Sequence, residues 1–113
     1  MFELIFNVDL NFTEEQFELL FRATPLWRAK RRGMVRNAIL LAGSQRLESL
    51  VVSLIDKLTD SDELIRAAAA WSLGEIGSSS GDEAMRRARR SETSPIVRTT
   101  LDQALCKTAA LRR

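Results

Sequence analysis

The sequence has no histidine, no tyrosine and a single cysteine, Cys106. One cysteine cannot close an intrachain disulfide, and the lack of histidine excludes the common zinc sites and histidine-based acid–base catalysis. Because no histidine can activate its thiol, we interpret Cys106 as a small buried hydrophobic residue. We therefore expect no catalytic residue, no metal site and no cofactor.

Long apolar runs are also lacking, and none approaches the ~18 residues that a membrane-spanning helix needs. The apolar start MFELIFNVDLNF has no basic segment before it and carries Asp9, which argues against a signal peptide. We predict a cytoplasmic protein of a reducing compartment that does not act at a membrane.

Proline and glycine are scarce, with two and five residues, whereas 45% of the 113 residues are hydrophobic and 28% are charged. This balance is typical of one folded domain, and we assign residues 1–113 to it. Alanine, leucine, arginine and glutamate dominate, which favours helices over strands. The sequence therefore predicts an all-α fold.

Capping and periodicity signals predict about six helices. A capping box at residues 13–16 begins a first helix over about 14–22. Thr24-Pro25 begins a second helix toward Gly43, and Gly33 leaves open whether that helix is kinked or restarts. Apolar residues at i, i+3, i+4 and i+7 predict a third helix from Leu47 to about Thr59.

The later helices follow from further caps and stops. A fourth helix starts at Asp60-Ser61-Asp62 and stops at Gly77, and we expect its Trp71 to pack in the core between repeats. The stretch SSSG (78–81) predicts a loop, and a short charged helix follows around 82–91. Ser94-Pro95 begins the sixth helix.

One short motif, two apolar residues followed by arginine, occurs three times. Its arginines are Arg36, Arg66 and Arg98, with spacings of 30 and 32 residues. A helix pair that recurs at this period is typical of an α-solenoid, in which each pair covers the apolar face of its neighbour. We expect repeats at approximately 13–43, 46–77 and 82–111.

Charge is segregated along the chain, although the net charge is only +2. Residues 1–21 hold five acids and no base, and residues 22–46 hold seven bases and no acid. Residues 47–83 are again acidic and residues 84–113 again basic. Such segregation can make one face of a protein basic.

The basic segment RAKRRGMVRNA (28–38) places five cations in nine residues. Spacings of three and four align its arginines on a helix as one stripe, which can bind phosphates, and Trp27 could stack on a base. The alternative is a solvated face whose partners are acids of the next repeat. The candidate nucleic-acid-binding residues here are Arg28, Lys30, Arg31, Arg32, Arg36 and Asn37.

The other repeats favour the nucleic-acid interpretation. An acid, Asp60 or Glu92, stands six residues before the repeat arginine in the second and third repeats, whereas Lys30 stands there in the first. No acid occurs in residues 22–47, so the basic segment has no local counter-charge, although an acid of the next repeat can still reach it. We favour nucleic-acid contact for Arg28, Arg31 and Arg32, and Arg36 fits either role.

A second basic cluster lies on the predicted fifth helix. Its four arginines spread around the helix, which favours a solvated surface, with an added phosphate contact as the alternative. The candidate residues of this cluster are Arg86, Arg87 and Arg90.

Two stretches, GMVRNAILLAG and LIDKLTDSDELIRAAAAWSLGEIG, resemble the short HEAT-like repeats first described in phycobilisome lyases. Upstream, FTEEQFELLFRATPLWRAKRRGMVRNA is similar to the C-terminal segment of bacterial epoxyqueuosine reductases. The similarity covers about residues 10–105. The matching residues are Phe17, Phe21, Thr24, Pro25, Arg28, Arg31, Gly33, Arg36 and Asn37, with Trp71 and Gly74 further on.

This resemblance implies a HEAT-like α-solenoid that faces tRNA. The family reduces the epoxide of a hypermodified tRNA base with cobalamin and two iron–sulfur clusters. With one cysteine this chain cannot bind such clusters, and the usual LGN after the basic helix is altered to Leu41-Ala42-Gly43-Ser44. The chain therefore looks like the C-terminal module alone, without the activity of the full enzyme.

We predict a non-catalytic module that grips tRNA or another nucleic acid through the basic helix, and a separate catalytic subunit could be its partner. The alternative is a protein-interaction scaffold or an oligomerising repeat domain. The candidate contacts of that alternative are Phe2, Leu4, Ile5 and Phe6. An enzyme resembling HEAT-like DNA glycosylases ranks last, because no base-excision site is recognisable.

Overall fold

Residues 27–111 are described by the structure, a computed structural model, and all regular elements among them are helical. The all-α prediction is confirmed, and none of these helices is long and apolar enough to cross a membrane. The first predicted helix, the start of the second at Pro25 and the candidate contacts Phe2, Leu4, Ile5 and Phe6 lie outside the described residues. The α-helices are α1 (Trp27–Ser44), α2 (Val51–Asp56), α3 (Glu63–Ile76), α4 (Ser79–Ser91) and α5 (Pro95–Leu111).

The helices form two layers with the core between them. α3 packs along α1 on one side and along α5 on the other, so these three helices form an inner layer, and α2 and α4 cover it from behind. One apolar cluster joins the layers, and its fully buried side chains include Ile39, Leu54, Ile65, Met85 and Leu101. Because each inner helix covers the next, the arrangement is an α-solenoid.

α1 passes through Gly33 without a break, so the helix does not restart there. Val35, Ala38, Ile39 and Ala42 are buried at helical spacing along its length. This continuous apolar stripe holds α1 against α3, and packing of an amphipathic face outweighs the poor helix propensity of one glycine.

The third predicted helix is less regular than its apolar spacing indicates. A 3-10 turn at Glu48–Leu50 precedes α2, and a second at Lys57–Thr59 follows it, so α2 itself has six residues. Leu50, Leu54 and Leu58 are buried all the same. Because 3-10 turns commonly form the ends of α-helices, the hydrogen-bond pattern changes while the apolar face is kept.

The interpretation of residues 78–81 as a loop is wrong. α4 begins at Ser79, and Ser78 is its N-cap, since the amide of Gly81 donates to the Ser78 hydroxyl oxygen at 3.1 Å. Serine is among the best N-cap residues, so this stretch starts the helix instead of preceding it. α3 ends as predicted at Gly77, which has a left-handed φ of 74°.

Two glycines allow the inner helices to approach closely. A Cβ added at Gly43 of α1 would lie 2.6 Å from Ser72 of α3, and one added at Gly74 of α3 would lie 2.7 Å from Ala104 of α5. The Ser72 hydroxyl donates to the Ile39 carbonyl oxygen at 2.6 Å inside the first of these contacts. Each pair of adjacent inner helices therefore meets at a position where only glycine fits.

Candidate functional site

The basic segment lies in the first half of α1, with its side chains on different sides of the helix. Lys30, Arg32, Arg36 and Asn37 are exposed, whereas Arg31 is only 6% exposed. The side chain of Arg28 lies outside the described part of the chain. The candidate residues therefore do not all face solvent as one stripe.

Arg31 is tied to the start of the next helix pair. Its Nη2 donates to Asp60 Oδ2 at 3.0 Å, and both side chains are 7% exposed. The other oxygen of Asp60 accepts the amide of Asp62 at 2.9 Å. The Nε of Arg31 is buried and has no hydrogen-bond acceptor, so this guanidinium is only partly satisfied.

A second buried cation lies beside this pair. Lys57 is 7% exposed, and its Nζ is 4.0 Å from one carboxylate oxygen of Asp60 and from one of Asp56. Burial lowers the pKa of the Lys57 ammonium, and the neighbouring Arg31 lowers it further, against the attraction of the two carboxylates. One buried carboxylate, Asp60, is thus shared by two cations.

Arg32 pairs with the N-cap residue of α3. Its Nε donates to Asp62 Oδ2 at 2.5 Å, while Asp62 Oδ1 accepts the amide of Leu64 at 2.9 Å. Burial acts to raise the pKa of Asp62, but these two donors hold it below its ordinary value. Asp62 therefore stabilises the start of α3 and its contact with α1 at the same time.

These ion pairs correct the sequence argument about the basic segment. We expected Arg31 and Arg32 to lack a local counter-charge and favoured nucleic-acid contact for them, yet Asp60 and Asp62 of the following helix pair supply a counter-charge to each. The alternative stated for this segment, partners among acids of the next repeat, describes both arginines. Buried pairing of this kind makes Arg31 a structural residue, since a ligand would have to displace Asp60 from it.

The repeat arginine of α3, Arg66, also pairs with an acid of the following helix pair. Arg66 donates from Nε and Nη2 to the two carboxylate oxygens of Glu92, each at 3.0 Å, and from Nη1 to the carbonyl oxygen of Asp60 at 2.8 Å. Burial acts to raise the pKa of Glu92, but Arg66 and the amide of Ser94 hold it below its ordinary value. Arg36, the matching residue of α1, has no carboxylate within ion-pair distance among residues 27–111.

The second basic cluster is also largely paired. Arg86 donates to Asp82 at 2.8 Å, Arg87 lies 3.8 Å from Glu83, and Arg89 donates to Asp102 of α5 at 2.8 Å. Hydrogen bonding to Arg89 lowers the pKa of Asp102. Arg90 is exposed and has no ion pair with any residue that the structure describes. The pairs within α4 are of the i, i+4 kind that stabilises a helix surface.

Two interpretations of single residues are wrong. Trp71 is 38% exposed instead of buried, because it lies on the side of α3 that neither α1, α5 nor the outer layer covers. Cys106 is exposed on α5 instead of forming part of the core. No group of three or more Asp, Glu or Cys side chains in the described part of the chain is placed to hold a metal ion.

Trp71 lies in a groove that sequence reasoning missed. The groove has a volume of about 370 Å³ and receives side chains from all three inner helices. Among the lining residues that the structure describes, Arg36 is the single charged one, and the others are mostly apolar. We call this the inner groove, and its lining residues are Arg36, Leu40, Leu64, Ala67, Ala68, Trp71, Ile96, Thr100 and Gln103.

A smaller hollow of about 160 Å³ continues the inner groove between α3 and α5. Trp71, Thr100 and Gln103 line both, and the hollow is also lined by Glu75 and Lys107, which form an ion pair. The Thr100 hydroxyl donates to the Ile96 carbonyl oxygen at 2.9 Å. The amide of Gln103 makes no hydrogen bond with a described residue, so it is available to a ligand.

The repeat architecture is matched by a protein-family model. The model described as HEAT repeats matches residues 29–106, which is more than half of the chain and includes all of α3 and most of α1 and α5. No curated protein matches the sequence. HEAT repeat domains are generally non-enzymatic and often mediate protein interactions.

Proposed function

Because the chain belongs to the HEAT repeat family, we propose that it is a non-catalytic binding module that takes a polypeptide ligand in the inner groove. The observation that carries this proposal is Trp71, which is exposed in the middle of a groove built by three successive inner helices.

The composition of the groove supports a polypeptide ligand. Tryptophan and arginine are the residues most enriched at the energetic centres of protein interfaces, and the groove holds one of each. Leu40, Leu64 and Ile96 add apolar surface on both sides of Trp71. A concave, mostly apolar wall with a few polar groups is the usual form of a ligand site.

Selection of peptides from a random library tests the proposal. The immobilised chain is panned with random peptides of about a dozen residues, and the affinity of the selected peptides is measured by fluorescence anisotropy. Trp71→Ser should weaken their binding by about tenfold or more, the usual effect of removing a central aromatic contact.

Val52→Ser is the matched control, because Val52 is 80% exposed on α2 in the outer layer. Peptides selected on the wild-type chain should bind this variant unchanged. Equal binding to the Trp71→Ser and wild-type chains, or no selected peptide at all, would contradict the proposal.

A nucleic acid is the second candidate ligand, and the observation that favours it is the exposure of Lys30 and Arg36, which form no ion pair with the described residues. Arg28 and the exposed Asn37 belong to the same helix, and the resemblance to epoxyqueuosine reductases supports tRNA as the ligand. A separate catalytic subunit would then be a further partner. Phosphate contacts of this kind need charge and no base-specific groups.

Salt dependence separates this candidate from the first. Binding of a fluorescently labelled tRNA should weaken steeply as salt rises, and Lys30→Gln and Arg36→Gln should each reduce the slope by about one charge. Arg46→Gln is the matched control, since Arg46 is an exposed arginine beyond the end of α1. Affinity that does not respond to salt, or that falls equally in the control, would contradict a phosphate contact by α1.

A further inference from the structure

We infer that the inner groove selects a polypeptide segment in which an acidic side chain pairs with Arg36 and a neighbouring aliphatic or aromatic side chain packs on Trp71. This inference rests on the proposed function, because it names the chemistry of the ligand that the same groove takes.

The repeat register shows why Arg36 has no acidic partner among residues 27–111. In α3 the repeat arginine Arg66 binds Glu92, which stands six residues before the next repeat arginine, Arg98. The corresponding acid for Arg36 is Asp60, six residues before Arg66. Asp60 is already bound by Arg31. Arg36 therefore occupies the position of the repeat arginine but does not pair with Asp60 as Arg66 pairs with Glu92.

The acidic side chains described near Arg36 are paired with other cations. No acidic side chain among residues 30–111 lines the inner groove, and Glu75 in the adjoining hollow is paired with Lys107. Asp62, the cap of α3, is paired with Arg32. Within the described part of the chain, the groove therefore offers one cation without an acidic partner beside apolar surface.

The remaining polar group of the groove suits a peptide backbone. The side chain of Gln103 carries an NH2 group that donates and a carbonyl oxygen that accepts, neither is used by a described residue, and Gln103 lines both the groove and the hollow. An amide that can both donate and accept matches the N–H and C=O of an extended or helical segment. Trp71, which lines the groove together with Arg36 and Gln103, supplies the apolar contact.

The same observations favour a carboxylate on a polypeptide over a nucleic acid. A phosphate backbone is bound by several cations in a row, and the groove holds one. Arg31 and Arg32, which stand before Arg36 on α1, are occupied by Asp60 and Asp62. The apolar wall of Leu40, Leu64 and Ile96 matches side chains instead of a ribose–phosphate chain.

Reversing the charge at Arg36 tests the inference. The random peptide library is panned separately on the wild-type chain, on Arg36→Glu and on Arg46→Glu, which makes the same change of net charge outside the groove. Peptides selected on the wild type and on Arg46→Glu should be enriched in Asp or Glu close to an aromatic or aliphatic residue. Peptides selected on Arg36→Glu should carry Lys or Arg in place of the acid.

Individual selected peptides then show how much the acidic side chain contributes to the binding affinity. Replacing the selected acid by its amide should weaken binding to the wild type by about tenfold or more, because a charged hydrogen bond is lost. The same replacement should leave binding to Arg36→Gln unchanged, which shows that the two groups meet. Arg36 is exposed, so circular dichroism is expected to show folded variants.

The outcomes separate the inference from the proposed function. Peptides that depend on Trp71 but show no preference for an acid, or no response to Arg36, would overturn the inference and leave the proposed function standing. Absence of any Trp71-dependent peptide would overturn both. Binding of tRNA that depends on Lys30 and Arg36, with no selected peptide, would overturn both in favour of the nucleic-acid candidate.

Discussion

Arg31 of α1 donates to Asp60, 29 residues later in the chain, across 3.0 Å, and both side chains are almost completely buried. This contact joins the first inner helix to the loop that begins the second. It also takes the carboxylate that the repeat register assigns to Arg36, so one buried pair both holds the solenoid together and leaves a cation free in the inner groove.

Replacing Arg31 is expected to destabilise the fold. Arg31→Met would leave the buried Asp60 carboxylate with Lys57 at 4.0 Å and one backbone amide. Breaking a buried pair on one side typically costs about 3 kcal/mol of the free energy of unfolding. Urea denaturation followed by circular dichroism measures the loss.

Arg36→Met is the matched control for this prediction, because it removes an arginine of the same helix that is exposed and unpaired among the described residues. Its free energy of unfolding should stay within about 0.5 kcal/mol of the wild type. Equal losses in the two variants would contradict a structural role specific to Arg31.

The opposite result is expected at Lys57. Its ammonium is buried, lies 4.0 Å from the nearest carboxylate oxygens and has a pKa lowered first of all by burial. Lys57→Met replaces a costly buried charge by an apolar side chain, and Asp60 retains Arg31. The free energy of unfolding should be unchanged or higher by about 1 kcal/mol, and a loss comparable to that of Arg31→Met would show that Asp60 needs both cations.

Close packing of the inner helices gives a third prediction. Gly43→Ala and Gly74→Ala place a methyl group within 3 Å of Ser72 and Ala104, so the helices have to separate. Overpacking of this kind costs about 1–3 kcal/mol of the free energy of unfolding.

Gly33→Ala is the matched control for these substitutions, since its Cβ would have nothing within 4 Å. Alanine has the higher helix propensity, so this variant should gain about 0.5–1 kcal/mol in the middle of α1. Thermal unfolding of the three variants, measured in parallel, shows whether each substitution raises or lowers the free energy of unfolding. A gain at Gly43 or Gly74 would contradict the close approach at that helix pair.

Most of the fold follows from local signals. Apolar spacing, the stop at Gly77 and the start at Pro95 predict α3 and α5, because a helix with one apolar stripe must turn that stripe toward the core. The beginning of α4 was missed because serine and glycine are common in loops, and only the bond from the Gly81 amide to Ser78 marks them as a cap. The 3-10 turns around α2 depend on hydrogen bonds that the apolar pattern does not contain.

The candidate site was less accessible to sequence reasoning, because its determinants are contacts between repeats. The partners of Arg31 and Arg32 lie about one repeat away, and local spacing does not decide between such partners and a bound phosphate. The exposure of Trp71 depends on how α3 rotates between α1 and α5, and the small residues around it fit either orientation. One signal was available in the sequence: two adjacent arginines preceding the repeat arginine can compete with it for the same acid.

Acidic pH should weaken the contacts between repeats. The pKa of Asp62 and that of Glu92 are lowered in the folded chain by Arg32 and Arg66, so the unfolded chain binds more protons than the folded chain at acidic pH. Since the slope of stability with pH follows this difference in bound protons, the stabilisation is fully present above the pKa of the unfolded carboxyl groups. It is lost as pH falls below about 4 and through the lowered values of the folded chain.

Isosteric amides test this pH dependence, because asparagine is also a good N-cap residue at position 62 and glutamine keeps the shape at position 92. Urea denaturation between pH 7 and pH 3 should show a steep fall in the wild type and a shallower fall in Asp62→Asn and in Glu92→Gln. The double variant should be the least sensitive to pH, because the two carboxylates belong to separate contacts, one between α1 and α3 and one between α3 and the loop before α5. A double variant with the slope of the wild type would assign the acid sensitivity to other carboxylates.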